Sequence, residues 1–282
     1  MIFITTGGGK VGQHVVTQLA QKKVPARAGF HSQAKAAEAR ETGIEAAVLD
    51  FESPESLAAG FRGIDTMFLV SPGTPDQGRH EENLIVEAKR VGVKRLVKLS
   101  GKINDHETGG FSQWNRDAEQ RIKESGIPYT ILRANYFMQN LFGNAEQIKR
   151  GAFTNGPAAK RIALIDTRDI AAVAVAALTE EGHAGKTYDL NGPEQLDGHA
   201  QAASISRALG RPVKYLDVSV ADFVEQLKSF GLPAWMVEAF GAAAAASDIP
   251  GDQSSANVER ILHRKPGTLG QFIKDYRGAF GG

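Results

Sequence analysis

Between an apolar opening run, Met1-Ile2-Phe3-Ile4, and a helically spaced segment, Gln13-His14-Val15-Val16-Thr17-Gln18-Leu19, the chain places Gly7-Gly8-Gly9-Lys10-Val11-Gly12. Glycines at G-x-G-x-x-G spacing between a strand and a helix form the fingerprint of a dinucleotide site. The first permits a sharp turn, the second lets a pyrophosphate approach without meeting a Cβ, and the third lets helix and strand pack closely. Unpaired N–H groups at the helix start then face the phosphates. Gly7, Gly9, Lys10, Val11 and Gly12 are therefore the expected phosphate cradle.

From this loop onward, β-like runs alternate with helical segments. Pro25–Phe30 precedes Gln33–Glu41, Glu45–Leu49 precedes Pro54–Phe61, and Thr66–Val70 precedes a long helix from about Asp76 to Val91. Arg95–Leu99 precedes Ser112–Glu124, and Tyr129–Leu132 closes the series. Alternation of this kind predicts βαβ units and an α/β, Rossmann-like, doubly wound parallel sheet. Met67-Phe68-Leu69-Val70 is continuously apolar, as a strand covered on both faces must be. Ligands of such sheets bind beyond the carboxyl ends of the strands.

After about residue 150 the rhythm breaks. Ile162–Ile165, Thr187–Leu190 and Val213–Val218 read as isolated strands in an otherwise mostly helical region. Ser219 is expected to cap a helix over Val220–Phe230, which Gly231 ends. Ala242–Ala246 reads as helix, and Ser247–Ser255 as a mobile loop. The expected division is a dinucleotide-binding domain over 1–150 and a smaller, mostly helical substrate-binding cap over 151–282, interleaved with the first.

Composition narrows the classes. The 282 residues carry a formal charge of +1, with 42% hydrophobic and 23% charged side chains, so neither nucleic acid nor an anionic membrane is an expected partner. The absence of cysteine excludes disulfides and thiolate nucleophiles. No apolar run approaches the roughly 18–20 residues of a membrane span. The opening run lacks the plan of a secretory leader, so a cytoplasmic location is the expectation. His14, His31, His80, His106, His183, His199 and His263 are scattered, and no metal is expected. A monomer and a homodimer are both compatible with the sequence.

The second strand ends at Phe30-His31-Ser32, with Lys35 one helical turn later. No carboxylate stands there to bind a ribose 2′-hydroxyl. An imidazole, a hydroxyl and an ammonium suit a 2′-phosphate instead, which favours NADPH over NADH. Asp50, ending the third strand with Phe51 beside it, is expected near the adenine or as a cap on the next segment.

The chain resembles the NmrA-like, atypical branch of the short-chain dehydrogenase/reductases. The likeness runs through the glycine loop, Leu69-Val70-Ser71-Pro72, Gly92–Ser100 and Ser125–Arg133. It continues through Asn135-Tyr136-Phe137-Met138-Gln139-Asn140, Asp166-Thr167-Arg168-Asp169 and Asn191-Gly192-Pro193. Family members include azoreductases, quinone oxidoreductases and triphenylmethane reductase, so the resemblance implies an NADPH-dependent reductase with a small aromatic substrate. It also implies that Ser71, Pro72, Ser100 and Asn135 join Thr6, His31, Ser32, Lys35, Asp50 and Phe51 around the cofactor. Two departures stand out: Thr6 occupies the family's first glycine place, and His31 replaces a frequent arginine.

The Tyr-x-x-x-Lys pair of typical short-chain dehydrogenases is absent. Four residues beyond Tyr129, Tyr136, Tyr188, Tyr215 and Tyr276 stand Arg133, Asn140, Gly192, Ser219 and Phe280. A lysine or histidine often found early in the fifth helix is Asn115. Hydride transfer to an electron-poor acceptor asks less of the protein, because the cofactor carries the chemistry. Tyr136 is nominated as phenolic proton donor, with Asn115 and Lys98 as polar neighbours and water as an alternative source. Phe111, Trp114, Tyr136, Phe137, Met138 and Trp235 are expected to give an aromatic acceptor its flat surface. His80 is expected on an exposed helix face. A cofactor-sensing regulator and an isomerase are the competing function classes.

Overall fold

The computed structural model describes residues 1–103, 110–246 and 256–282, so the expected mobile loop Ser247–Ser255 and His106 lie outside the described residues. In chain order the first elements are β1 (Ile2–Ile4), α1 (Gly12–Gln21), β2 (Ala26–Phe30), α2 (Gln33–Glu41), β3 (Glu45–Val48) and α3 (Pro54–Gly60). They continue with β4 (Thr66–Leu69), α4 (Gln77–Arg90), β5 (Arg95–Gly101), α5 (Gly110–Ser125) and β6 (Tyr129–Ala134). A 3-10 segment, Met138–Asn144, and α6 (Ala145–Lys149) lead to β7 (Ala152–Phe153), α7 (Thr167–Thr179) and β8 (Lys186–Leu190). The remainder holds α8 (Gly198–Leu209), β9 (Lys214–Tyr215), α9 (Val220–Ser229), α10 (Ala234–Ala245), α11 (Ala256–Leu262) and α12 (Leu269–Asp275).

Seven strands pair in the order β3-β2-β1-β4-β5-β6-β8, and neighbours from β3 to β6 run parallel. Ile2 registers with Ala26 on one side and Thr66 on the other, so the strand order reverses at β1 and β4. That switch point leaves a crevice at the carboxyl ends of these two strands. Met67, Phe68 and Leu69 have no exposed surface, as the apolar run requires.

The chain divides into two compact units, Met1–Ala134 with Thr167–Asp189, and Asn135–Asp166 with Leu190–Gly282. α7, from beyond residue 150, belongs to the first unit and packs on α1. The reason is its composition: Thr167–Thr179 buries ten residues, too many for a helix exposed on one face. Elsewhere in the first unit, Phe3, Met67, Leu69 and Leu96 meet Leu57, Leu84, Ile85 and Ile122 of α3, α4 and α5. Strand alternation puts Leu96, Lys98 and Ser100 on one face of β5. The apolar packing thus gives way to polar side chains as β5 nears the crevice.

The second unit has its own core, in which Met138, Ile148, Phe153, Ile205, Tyr215 and Phe272 are buried. Phe142 stacks on Phe280 with ring centres 5.5 Å apart. Burial pushes the Tyr215 phenol up from its ordinary value, and its hydroxyl donates to the Gly156 carbonyl at 2.8 Å. Ser219 caps α9 by accepting from the Asp222 N–H at 3.1 Å, and Gly231 follows at φ +69°. The expected strand Ile162–Ile165 is reduced to two isolated bridges, Phe137 to Ile165 and Ile162 to Leu196. The expected strand Val213–Val218 shortens to Lys214–Tyr215, because its partner β7 offers only two residues.

Candidate active site

The glycine turn is built from close backbone approach. A Cβ on Gly12 would stand 1.9 Å from the Thr6 carbonyl oxygen, and one on Gly7 would stand 2.7 Å from the Ala28 Cβ. Gly9 is less tight, its Cβ meeting the Thr6 methyl at 3.2 Å, and Gly8 would make only ordinary contact with Phe30 at 3.6 Å. The Gly7 N–H donates to the Gly29 carbonyl at 2.8 Å, and Gly29 itself is required because a Cβ there would press on the Thr5 carbonyl at 2.9 Å. α1 then begins at Gly12 with no side chain capping its first turn. An uncapped helix start with a cradle that Cβ atoms would fill is the geometry a pyrophosphate needs. Partial loss of water lowers the Lys10 ammonium from its ordinary lysine value, a cost that a nearby anion offsets.

Thr5 and Thr6 join this turn to the end of β4. The Thr5 hydroxyl donates to the Val70 carbonyl at 2.5 Å and accepts from the Val70 N–H at 2.9 Å. The Thr6 hydroxyl donates to the same carbonyl at 2.8 Å. Thr6, in the family's first glycine place, therefore ties the two strand exits together. At the end of β2, His31 and Lys35 are exposed, and Ser32 caps α2 by accepting from the Lys35 N–H at 3.3 Å. Asp50 caps its own turn, accepting from the Glu52 N–H at 2.9 Å. His80 differs from its expected exposed position: its ring meets Phe51 edge-on at 5.6 Å, and Nε2 lies 3.2 Å from Glu52. The helix face that carries it is turned toward the β3 exit.

Beyond β4, Ser71 enters an enclosed polar cluster. The Lys98 ammonium, from β5, donates to Glu81 Oε1 of α4 at 2.8 Å. The Ser71 hydroxyl donates to the same oxygen at 2.5 Å, and the Gln77 amide does so at 3.3 Å. Gln77 also donates to Asn115 Oδ1 at 3.2 Å, and Asn115 Nδ2 donates to the Phe111 carbonyl at 2.9 Å. Phe111 lies edge-on to Trp114 at 5.4 Å, and a Cβ on Gly73 would meet the Phe111 ring at 3.2 Å. The Ser100 hydroxyl donates to Glu119 at 2.8 Å, and Arg133 grips the same carboxylate at 2.9 and 2.7 Å.

A family model described as NAD(P)H-binding matches residues 7–181. The chain belongs to this NAD(P)H-binding family. It is 34% identical to the NAD(P)H azoreductase of Xenophilus azovorans over 286 aligned residues, covering 100% of this chain and 99% of that one. It is 32% identical to quinone oxidoreductase 2 of Escherichia coli K12, across 83% of each chain. Among solved structures, an E. coli NADPH-dependent quinone oxidoreductase complexed with NADPH superposes with a TM-score of 0.87 at 27% identity, covering 98% of this chain and 100% of that one.

Within this NAD(P)H-binding chain, the expected site residues separate into groups. The glycine turn, the ends of β2 and β3, and Ser71 and Pro72 gather at the carboxyl edge of the sheet in the first unit. Lys98 and Asn115 are drawn inside, with 1% and 7% exposure, so neither presents its side chain to solvent. Ser100 is held on Glu119. Asn135, Tyr136, Phe137, Met138 and Trp235 belong to the second unit. There Asn135 donates to Asn191 at 3.1 Å and accepts from the Tyr136 N–H at 2.7 Å, while Tyr136 is exposed. Met138 corrects its assignment to a substrate surface: it is 1% exposed and packed in that unit's core, where its flexible thioether fills space.

Sequence reasoning missed Glu81, Gln77 and Gly29. Glu81 alternates with charged neighbours on α4, and only its period in the helix, four residues from Gln77 and facing the apolar Leu84 and Ile85, hinted at burial. Among the described residues no group of His, Asp and Glu has the arrangement to hold a metal, and no helix is long and apolar enough to cross a membrane. A hollow of about 580 Å³ lined by Glu55, Phe61, Arg62 and Arg90 lies where α3 and α4 lead into β4 and β5, at the opposite edge from the crevice.

Proposed function

We propose that this protein is an NADPH-dependent oxidoreductase that passes hydride to an electron-poor aromatic acceptor such as a quinone or an azo compound. The observation that carries the reading is the glycine cradle at the β1–β4 switch point, in a chain that aligns end to end with an azoreductase. Gly7, Gly9, Lys10, Val11 and Gly12 would hold the pyrophosphate. His31, Ser32 and Lys35 would face the 2′-phosphate, and Asp50 and Phe51 the adenosine end. Ser71 and Pro72 follow β4, where the crevice rule places the reacting end.

When bound, the cofactor supplies hydride. The protein's part is to fix the acceptor, keep water out and manage one proton. Phe111 and Trp114 offer a half-buried aromatic corner beside Gly73 for a flat acceptor. Purified protein mixed with NADPH and a panel of quinones and azo dyes should oxidise NADPH with one or more of them, followed at the cofactor and dye absorbance bands. Tight NADPH binding with no oxidation by any acceptor would reject the reductase reading and leave a cofactor sensor.

A further inference from the structure

The ion pair below Ser71 is a poor device for stability. Glu81 is fully buried and Lys98 is 1% exposed. Removing two charges from water costs several kcal/mol per ion, and a well-packed apolar pair of similar volume usually holds a helix on a strand at least as well. The cluster is also directional. Of Ser71, Gln77, Glu81, Lys98 and Asn115, only Ser71 is partly exposed, at the carboxyl end of β4. Its hydroxyl touches Glu81 Oε1, which touches the Lys98 ammonium. Glu81 Oε2 has no hydrogen-bond partner among the described residues. A half-buried hydroxyl at the strand exit is thus wired through a carboxylate to an enclosed ammonium.

We infer that Lys98, Glu81 and Ser71 form a proton relay that delivers the proton required when a neutral quinone or azo acceptor is reduced. The inference rests on the reductase reading above. Hydride brings two electrons and one hydrogen to such an acceptor and leaves an anionic oxygen or nitrogen. That atom takes the Ser71 hydroxyl proton. The Lys98 ammonium gives a proton to Glu81 Oε1, which passes it on to Ser71 Oγ, so Glu81 ends as the carboxylate it began as and Lys98 as a neutral amine. After product departs, solvent protonates Ser71 and the chain runs inward to recharge Lys98, a net uptake of one proton per hydride. Ser71 is the donor at the acceptor, whereas Glu81 and Lys98 act through it. This divides between two side chains and a hydroxyl the work of the missing tyrosine–lysine pair.

A cationic triarylmethyl dye provides the internal control, because hydride neutralises its central carbon and no proton is needed. Glu81→Gln should lower quinone turnover about 100-fold, the scale of lost general-acid catalysis, and at least about tenfold more than dye turnover. A high concentration of a small buffer acid should restore quinone turnover in part. NADPH affinity, read from cofactor fluorescence, should change less than about threefold. Because one unpaired buried charge can prevent folding, the double variant Glu81→Leu/Lys98→Met is the second arm, with the same selective loss expected. Equal losses for both acceptors, no loss, or no rescue by buffer acid would overturn the relay. So would a selective quinone defect in Tyr136→Phe with none in the Glu81 variants. If the unaltered protein binds NADPH yet reduces no acceptor, the reductase reading fails instead.

Discussion

The exits of β1 and β4 are neighbours, tied by Thr5 and Thr6 to Val70, yet they are made of different material. At β1 the chain brings backbone against backbone, and the decisive atoms are those that Gly7 and Gly12 lack. At β4 the decisive atoms are side-chain carboxylate, ammonium, hydroxyl and amide groups collected from α4, β5 and α5. A pyrophosphate is the same in every dinucleotide, so backbone N–H groups and a helix start serve it without special side chains. Proton management depends on titratable groups held at fixed distances, and those come from wherever the fold can deliver them.

The contrast can be broken at either exit. The largest effect on cofactor binding is expected for Gly12→Ala. Its Cβ would overlap the Thr6 carbonyl at 1.9 Å, and displacing the loop by about 1 Å should cut NADPH affinity 100-fold or more, measured by cofactor fluorescence. Next is Lys98→Met, which strands Glu81 as a buried lone charge and should cost roughly 3–5 kcal/mol in denaturant unfolding. Adding Glu81→Leu should recover most of that loss, and no recovery would show that the pair is not the unit argued above. A smaller effect is expected for His31→Glu, an exposed carboxylate facing a 2′-phosphate. Repulsion of about 1 kcal/mol should move the NADPH-over-NADH preference roughly five- to tenfold toward NADH, seen in the ratio of the two dissociation constants. An unchanged ratio would remove His31 from the phosphate site. The smallest is Gly8→Ala, which makes only a 3.6 Å contact with Phe30. It should leave stability within about 0.5 kcal/mol and so separate the glycines that geometry requires from the one it merely accommodates.

Legibility followed the same division. The alternation of apolar runs and helical segments carried the parallel sheet, because covered strands and amphipathic helices write their periods locally. Gly7 and Gly12 stood out as points of close backbone approach because glycines at that spacing between a strand and a helix mark a sharp turn. Met138 was misread because an aromatic-rich run fits a core as well as a ligand surface, and only packing distinguishes them. Lys98 and Asn115 were singled out individually, but their partner Glu81 was not, since a glutamate among charged helix residues looks solvated.

By itself, then, the sequence determined the strand–glycine turn–helix entry, the absence of a carboxylate at the end of β2 and the absence of a Tyr-x-x-x-Lys pair, all of which are local facts. Tertiary structure alone decided which glycine lacks room for a Cβ, that Thr6 binds the end of β4, and that Glu81 and Lys98 meet 2.8 Å apart out of water. The last two depend on contacts between residues 64 and 17 positions apart, and distance along the chain carries no record of proximity until helices and strands have packed.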